Sequence, residues 1–422
     1  MRKRSLLLFL LLLGSIHLFG QYQNLLEYET ENGVAHLAFC PKHVKGRMVV
    51  PDSVKFSGQY YEVVKLGGFL STSFSGCRGI TEIVLPNTIK KIGRESFKGC
   101  VRLNKINIPS SVTEIDYSAF SNCESLVEVD IPQSISEIAF NTFSGCKSLQ
   151  KVNFQFANSI KNIGRNAFEK CSSLETFEIP PFLTSISAGC FSECVSLRDI
   201  KFHERIKNIS DRAFYGCDSL KSLVFPSSLE SCWGYAFANC KSLRTVKFNS
   251  SVRFFGDGIF ADCENLEEVD LTGIEEIRSK LFLNCKKLSR VDVPETVEWI
   301  APSAFWGTSV QVLNVPLSVT GGLQYSEEYK EWTALKEINV DPKNTSFCSE
   351  NGVLYNKNKT KLYRYPPQKE DDTFQIPNTV KEIAPFAFYG NKHLTELKIP
   401  ASVKVYGEGA FIECPQIKIV NE

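Results

Sequence analysis

One phrase of 23 residues recurs along most of this chain. Residues 103–123 read L-N-K-I-N-I-P-S-S-V-T-E-I-D-Y-S-A-F-S-N-C, and residues 126–146 read L-V-E-V-D-I-P-Q-S-I-S-E-I-A-F-N-T-F-S-G-C. Self-similarity at such a period is typical of a solenoid, in which each repeat packs only against its neighbours. The chain has 422 residues, and a solenoid can reach that length without starting a new core.

Each repeat has three parts. A stretch of the form L-x-x-I-x-I, such as residues 126–131, ends with alternating apolar residues, which indicates a short strand with one buried face. A proline such as Pro132 then ends the strand, because proline cannot donate to a sheet. After a V-x-x-I stretch, the spacing of Ala119, Phe120 and Cys123 would place all three on one side of a helical turn. Glycine or asparagine before the cysteine suits a left-handed residue that ends a short helix.

Phenylalanine occupies the same place in most repeats, and this spacing predicts one internal column of rings. A buried aromatic side chain removes about 150 to 250 Å² from water, so the column is expected to be a main source of stability. Its members are Phe74, Phe97, Phe120, Phe143, Phe168, Phe191, Phe214, Phe237, Phe260, Phe282 and Phe305, with Phe388 and Phe411 after an interruption.

The repeat begins and breaks at places that divide the chain into five segments. Residues 1–20 start with three basic residues and continue with a leucine-rich run, which is typical of a secretory signal peptide. An uncleaved membrane anchor is the alternative. Residues 21–73 are predicted to be a β-rich N-terminal cap over the open end of the solenoid. Repeats occupy residues 74–340, a β-hairpin is inserted at residues 341–372, and repeats resume over residues 373–422.

The fifteen cysteines could form disulfides, bind metal or fill the core. Most lie one repeat apart, which would place parallel side chains near 5 Å apart, whereas a disulfide needs Cβ atoms about 3.8 Å apart. A free buried cysteine acts as a small hydrophobic residue with a weak donor. We therefore expect a reduced packing column, in which Thr308, Trp332 and Asn391 replace cysteine.

The unit L-x-x-I-x-I-P-x-x-V-x-x-I-x-x-x-A-F-x-x-C closely resembles that of the BspA-like leucine-rich repeat family of bacterial surface proteins, from about Ile80 to Ile419. The sequence N-G-V-L-Y at residues 351–355 also resembles a recurrent insertion of that family. The resemblance implies an α/β repeat fold, a right-handed leucine-rich-repeat solenoid with short parallel strands on the concave side and short helical turns or irregular segments on the convex side. It also implies an exported protein that binds other macromolecules, in some members host matrix proteins, with no shared catalytic residues.

Two sets of surface residues are candidates for partner binding. The first set points outward from the predicted strands, where a solenoid presents columns of side chains, and the second consists of exposed aromatic residues on the other side or edges. A solvated polar face and packing between coils are the ordinary alternatives. The candidates are Lys105, Glu128, Asp130, Lys151, Asp199, Lys201, Lys247, Glu268, Asp270, Arg290, Trp233, Tyr235 and Trp306.

Charge and residue distribution narrow the function classes. Loss of the first 20 residues changes the formal net charge from +1 to −2, and no basic block follows, so nucleic acid is not an expected partner. The histidines that remain are scattered over different repeats, which disfavours a hydrolase. The set His36, Cys40 and His43 lacks a fourth ligand, so neither a metal nor another cofactor is expected.

The sequence therefore predicts an exported, monomeric, non-enzymatic protein with no membrane span after signal cleavage. We expect it to be secreted, at the bacterial cell surface or in the periplasm, and to act as an adhesin-like module that binds an unidentified protein or glycan, with host matrix as one source. A structural surface scaffold is one alternative. A hydrolase or metal protein that uses the irregular segments is another.

Overall fold

A computed structural model describes residues 25–68, 72–248 and 252–422, which divide after Lys201 into two compact units. The signal peptide predicted at residues 1–20 lies outside these ranges. Within them, no helix has the length and apolar character needed to cross a bilayer.

Within its described residues, the first unit contains fourteen strands and a 3₁₀ turn at Ala157–Ser159. The strands are β1 Glu27–Glu31, β2 Val34–Phe39, β3 Lys45–Val49, β4 Ser53–Phe56, β5 Gln59–Leu66, β6 Gly79–Val84, β7 Lys91–Ile92, β8 Lys105–Ile106, β9 Glu114–Ile115, β10 Glu128–Ile131, β11 Glu137–Ile138, β12 Lys151–Phe154, β13 Asn162–Ile163 and β14 Ser185–Ile186.

The second unit continues the same pattern of very short strands, with 3₁₀ turns at Pro302–Phe305 and Ser326–Tyr329. The strands are β15 Asn208–Ile209, β16 Ser222–Val224, β17 Ser231–Cys232, β18 Thr245–Lys247, β19 Phe254–Phe255, β20 Glu268–Asp270, β21 Glu276–Ile277, β22 Trp299–Ile300, β23 Val312–Val315, β24 Glu337–Val340, β25 Phe347–Glu350, β26 Val353–Asn356, β27 Lys361–Arg364, β28 Thr373–Gln375, β29 Glu382–Ile383, β30 Glu396–Ile399, β31 Val405–Tyr406 and β32 Lys418–Asn421.

Each turn of the chain, here called a coil, contributes to two parallel ladders. The first ladder is built from the L-x-x-I-x-I strands, as where β6 pairs with β8 and β10 with β12. The second is built from the V-x-x-I strands, as where Ile92 lies beside Ile115. Equivalent residues of successive repeats pair in register, so the same face of every strand enters the core.

The predicted N-terminal cap is continuous with both ladders. Strand β1 pairs antiparallel with β2 and presents mainly polar residues to solvent. Strand β2 pairs in parallel with β5, and β5 with β7, while β3 pairs in parallel with β6. The cap therefore covers the first coil by extending the solenoid with an antiparallel edge.

The segment 341–372 contains the expected hairpin and one further strand. Strands β25, β26 and β27 pair antiparallel in succession, and β27 then pairs in parallel with β29. Parallel pairing continues between β29 and β31 and between β30 and β32. The insertion therefore returns to the second ladder rather than leaving the solenoid.

The α/β prediction overstated the helical content, because the described residues contain no α-helix and the A-F-x-x-C segments form turns. In these turns, alternate amides donate to the next coil, as from Phe97 to Ala119 at 2.8 Å and from Gly99 to Ser121 at 2.8 Å. An amide that bonds to a neighbouring coil cannot also bond four residues back, as a helix requires. The left-handed residue before the cysteine is confirmed, with φ of 72° at Gly99 and 58° at Asn122. The handedness of the solenoid stays a prediction.

The phenylalanine column is confirmed. Its rings are buried, apart from the half-buried Phe411, and in the first unit they lie 5.1 to 5.6 Å apart from Phe74 to Phe191. In the second unit, Trp332 stacks on Phe305 at 4.4 Å. Tyr365, which the sequence analysis did not place in the column, stacks on Phe388 at 5.1 Å. The core is thus filled by one aromatic side chain in almost every coil.

All described cysteines are free, which agrees with a packing column. Their thiols also satisfy backbone groups, because Cys123 and Cys146 donate to the carbonyls of Phe97 and Phe120 in the preceding coil, at 3.1 and 3.2 Å. The replacements keep a donor, as where the indole of Trp332 donates to Val310 at 2.8 Å. The column therefore selects a small or planar side chain that can donate a hydrogen bond.

Candidate interaction surfaces

The outward residues of the first ladder in the first unit are exposed, as expected, but they are paired with one another by charge. The register of β10 and β12 places Glu128 beside Lys151 and Asp130 beside Asn153. The amide of Asn153 donates to Asp130 at 2.8 Å. Opposite charges on neighbouring strands stabilise the register and leave little net field for a partner.

The other strand-face candidates of this unit follow the same rule. Lys105 Nζ lies 3.9 Å from Glu82 in the preceding coil, and Lys201 Nζ lies 3.9 Å from Asp199. These side chains are largely in solvent, where such pairs contribute about 0 to 1 kcal/mol. The partner-binding role of these residues stays a prediction.

In the second unit the strand-face candidates are Lys247, Glu268, Asp270 and Arg290, all exposed. Lys247 and Asp270 are register partners. The hydroxyl and amide of Thr272 donate to Asp270, at 2.6 and 3.0 Å, and lower the pKa of that carboxyl. Arg290 Nε donates to Asp292 at 2.9 Å. Most of these groups already have an intramolecular partner.

Exposed aromatic residues of the second unit gather at the second ladder. Trp233, which is 43% exposed, lies 4.4 Å from Phe254 between ring centroids. The guanidinium of Arg278 lies 5.7 Å from the Phe254 ring and pairs with Asp257 at 3.4 Å and Glu276 at 2.9 Å. Trp233 therefore belongs to an aromatic patch supported by a fixed cation, which is a composition that interface hot spots favour.

The other two aromatic candidates do not join this patch through a described ring contact. Tyr235 is half-buried, and its ring lies 5.9 Å from the guanidinium of Arg212. Trp306 is half-buried, and its indole N–H donates to the carbonyl of Glu328. These contacts are those of packing between coils, and a partner-binding role for either residue stays a prediction.

A second aromatic site, which the sequence analysis did not identify, lies in the first unit. Tyr117 and Phe140 stack at 4.6 Å with 8° between their planes, and Phe140 is 47% exposed. Arg94 lies over the other side of the Tyr117 ring at 5.4 Å. Both aromatic residues follow the second-ladder isoleucine by two positions, in consecutive repeats. This coincidence was the signal available in the sequence.

The two rings border a groove of about 320 Å³, which we call the coil gap. It is lined by Thr113, Glu114, Ile115, Asp116, Tyr117, Ser136, Glu137, Ala139 and Phe140.

Each coil that borders the gap is bonded to its outer neighbour in the second ladder, and the two bordering coils are bonded to each other at the edge of the gap, where the amide of Ser118 donates to Phe140 at 3.0 Å. Thr113 and Asp116 donate to the preceding coil at 2.8 and 2.9 Å, and the next coil donates to Ser136 and Ile138, both at 2.8 Å. In the described structure, no backbone hydrogen bond joins residues 113–116 to residues 136–139. The amides of Ser136 and Ala139 therefore have no backbone partner.

Two carboxylates of successive repeats meet at the coil gap. Register placed Lys91 beside Glu114, and the two form an ion pair. One repeat later Glu137 occupies the equivalent position, so two carboxylates succeed one another, and like charges in that arrangement destabilise strand pairing. Lys91 also lies 3.4 Å from Asp116. Although burial disfavours its charge, these carboxylates raise the pKa of Lys91.

Burial shifts the pKa of several titratable groups within the described residues. Burial raises the pKa of the Cys146 thiol to about 12. His36 is half-buried, and burial with the nearby charge of Lys65 lowers its pKa, while His43 is exposed. No group of three His, Cys, Asp or Glu side chains within the described ranges is placed to hold a metal.

Comparison with known proteins places the repeats in a family. The family model for BspA type leucine rich repeat regions, in six copies, matches residues 69–160, 151–267, 207–330, 260–358 and 368–421. A search of curated proteins finds no match.

Several solved structures of leucine-rich repeat proteins are similar to this chain. A leucine-rich repeat protein from Bacteroides ovatus ATCC 8483 has 22% identity and a TM-score of 0.65, covering 94% of this chain and 98% of that one. A leucine rich cell surface protein from Faecalibacterium prausnitzii A2-165 has 22% identity and a TM-score of 0.31, covering 94% and 75%. The leucine-rich repeat protein of T. pallidum has 21% identity and a TM-score of 0.30, covering 57% and 88%. The family model matches well over half of the residues, so this chain belongs to the BspA-type leucine-rich repeat family.

Proposed function

We propose that this protein is an exported, non-enzymatic interaction module that binds a protein or glycan outside the cytoplasm, at the bacterial cell surface. One observation carries the proposal: the residues that recur in every repeat are buried in the core, and the remaining polar and charged side chains lie exposed on the ladders. Phenylalanines that are buried, and cysteines whose thiols donate hydrogen bonds, account for the residues that recur in the repeat. Such a framework presents surface side chains at a fixed spacing, which is how solenoids bind partners.

Export is supported by the basic start and leucine-rich run of residues 1–20. Expression of the full chain in a bacterial host, followed by fractionation and N-terminal sequencing, tests it. The proposal expects protein outside the cytoplasm that begins near Gln21. Retention of the intact N-terminus in the membrane fraction would favour the anchor, and an intact cytoplasmic chain would refute export.

Binding is tested with the exported chain on a panel of extracellular-matrix proteins and oligosaccharides, read by biolayer interferometry. Saturable binding to one class supports the proposal. Uniform absence of binding across the panel, with a folded protein, counts against it. Hydrolysis of any panel member during the experiment would instead revive the enzymatic alternative.

A structural scaffold is the second candidate, favoured by apolar side chains in the last coils. Tyr406, Ile412 and Ile419 are 50%, 49% and 43% exposed, respectively. Exposed apolar surface on successive coils is a common site of self-association. Sedimentation velocity at increasing concentration separates the two candidates, because a scaffold forms larger species and a monomeric binding module does not.

A further inference from the structure

The coil gap is more than a surface depression, because it exposes backbone groups that the paired strands of the second ladder, such as β7 with β9, bond to each other. An unpaired backbone amide or carbonyl is costly unless water or a ligand satisfies it. The gap offers two such amides, at Ser136 and Ala139, together with the carbonyls of Thr113 and Ile115. Donors and acceptors therefore face the same groove.

The opening is too narrow for a peptide strand to enter. Strands β9 and β11 retain Cα atoms within 8 Å of each other, whereas a strand inserted between them would require a separation of about 9.6 Å, twice the normal strand spacing. The stacked rings of Tyr117 and Phe140, 4.6 Å apart, hold the two coils at this distance. A ligand must therefore lie over the gap and reach into it with small polar groups.

The charge of the gap disfavours an anionic ligand. Lys91 already pairs with Glu114 and lies 3.4 Å from Asp116, and Glu137 accepts a hydrogen bond from the amide of Asn162 at 2.8 Å. Three carboxylates and one lysine give the gap a net negative charge, which disfavours an anionic ligand, and the carboxylates keep free lone pairs as acceptors. The gap thus combines acceptors, donors and an aromatic wall at Phe140.

Hydroxyl groups match this combination, since each can donate to a carboxylate or carbonyl and accept from an amide. The carbon faces of a sugar ring can pack against the exposed part of Phe140. The volume, about 320 Å³, lies at the small end of the range for ligand sites. We propose that the coil gap binds a neutral glycan, with Glu114, Asp116 and Glu137 accepting from sugar hydroxyls and Ser136 and Ala139 donating to sugar oxygens.

This inference rests on the proposed binding function and names its ligand class. The test uses the exported chain and four variants, with neutral hexaoses of glucose, xylose and mannose as probes and isothermal titration calorimetry as the readout. Phe140→Ala removes the aromatic wall and Glu137→Gln removes an acceptor while keeping the shape. The matched controls are Phe156→Ala, at a phenylalanine that is 57% exposed elsewhere in the first unit, and Glu193→Gln, at an exposed carboxylate in a turn of the same unit.

The expected result is binding of at least one hexaose, weakened about tenfold by Phe140→Ala, the loss typical of an interface anchor. Glu137→Gln should weaken it severalfold, and both controls should leave it unchanged. Thermal unfolding of each variant checks that the fold is retained, and Glu137→Gln tests the site even if Phe140→Ala is unstable.

Three results would overturn the inference. The first is no binding of any neutral hexaose, the second is binding that the gap variants do not alter, and the third is binding of an oligolysine peptide that Glu137→Gln abolishes, which would assign the gap to a cation. The proposed function survives all three if the wild-type chain still binds a matrix protein on the panel. Failure of the inference and failure of the function are therefore distinguishable.

Discussion

Replacement of Phe143 by alanine tests the energetic role of the ring column. Phe143 is fully buried and stacks on both sides, at 5.3 Å from Phe120 and 5.5 Å from Phe168. Truncation of a buried phenylalanine costs about 3 to 5 kcal/mol, and each lost aromatic pair contributes about 0.5 to 1.5 kcal/mol beyond burial. We expect Phe143→Ala to lower the free energy of unfolding by about 4 to 5 kcal/mol, near the top of the range for truncation.

The column supplies its own comparison at the last coil. Phe411 is half-buried and has one column neighbour, Phe388 at 5.5 Å. Since it loses less apolar burial and one stacking partner, Phe411→Ala should cost about 1 to 2 kcal/mol. Phe156→Ala, at an exposed ring outside the column, should change stability by less than about 0.5 kcal/mol.

Equilibrium unfolding in urea, followed by circular dichroism, measures all three variants. The reasoning predicts the order Phe143→Ala, then Phe411→Ala, then Phe156→Ala. Equal losses for Phe143→Ala and Phe411→Ala would refute it, because they would show that burial within the stack does not set the energy. A loss below about 1 kcal/mol at Phe143 would show that neighbouring coils collapse into the space.

Three further results are expected. Stability should fall as pH rises above about 8.5, where the thiols of the unfolded chain ionise. Burial raises the pKa of folded thiols such as Cys146 to about 12, so above about pH 8.5 the unfolded state binds fewer protons than the folded state. Unfolding in urea from about pH 7 to 10 measures this change, and a flat profile would contradict it. Asn391→Ala should lower the free energy of unfolding by about 2 to 3 kcal/mol, because the side chain donates to Pro366 and Pro367 and accepts from Leu394 in the core. A change of less than about 0.5 kcal/mol in the same assay would show that water replaces these bonds. Arg364 is buried, and two of its guanidinium nitrogens have no hydrogen-bond partner. In thermal unfolding, Arg364→Met should therefore be neutral or stabilising, whereas Arg364→Ala should destabilise the protein. Equal destabilisation by both variants would show that the charge itself is needed.

The core could be predicted from the sequence because the period is strict. Fixed spacing of phenylalanine and cysteine requires that equivalent residues stack, whatever the handedness of the coils. Trp332 could be recognised as a substitute in a cysteine position, but Tyr365 could not, because the inserted strands shift its coil out of register. Spacing alone does not reveal where an insertion returns to the ladder.

The turns and the binding groove were harder to predict for a physical reason. The spacing of Ala119, Phe120 and Cys123 fits one helical turn, but amides of this segment bond to the next coil instead, and local spacing carries no information about that choice. The coil gap is bordered by Tyr117 and Phe140, which occupy the same position in consecutive repeats. That signal lies in a comparison between repeats, whereas the strand-face residues were chosen from within each repeat.

Hydrogen exchange of individual backbone amides, followed by NMR in the free protein, tests the central claim most directly. The claim is that each of the two coils bordering the gap is bonded through the second ladder to its outer neighbour, whereas the two bordering coils are not bonded to each other in that ladder. The amides of Thr113, Asp116, Lys161 and Gly164, which donate to neighbouring coils, should exchange slowly. Those of Ser136 and Ala139 should exchange much faster. Equal protection of all six amides would show that the ladder is closed and would remove the basis for a ligand at the coil gap.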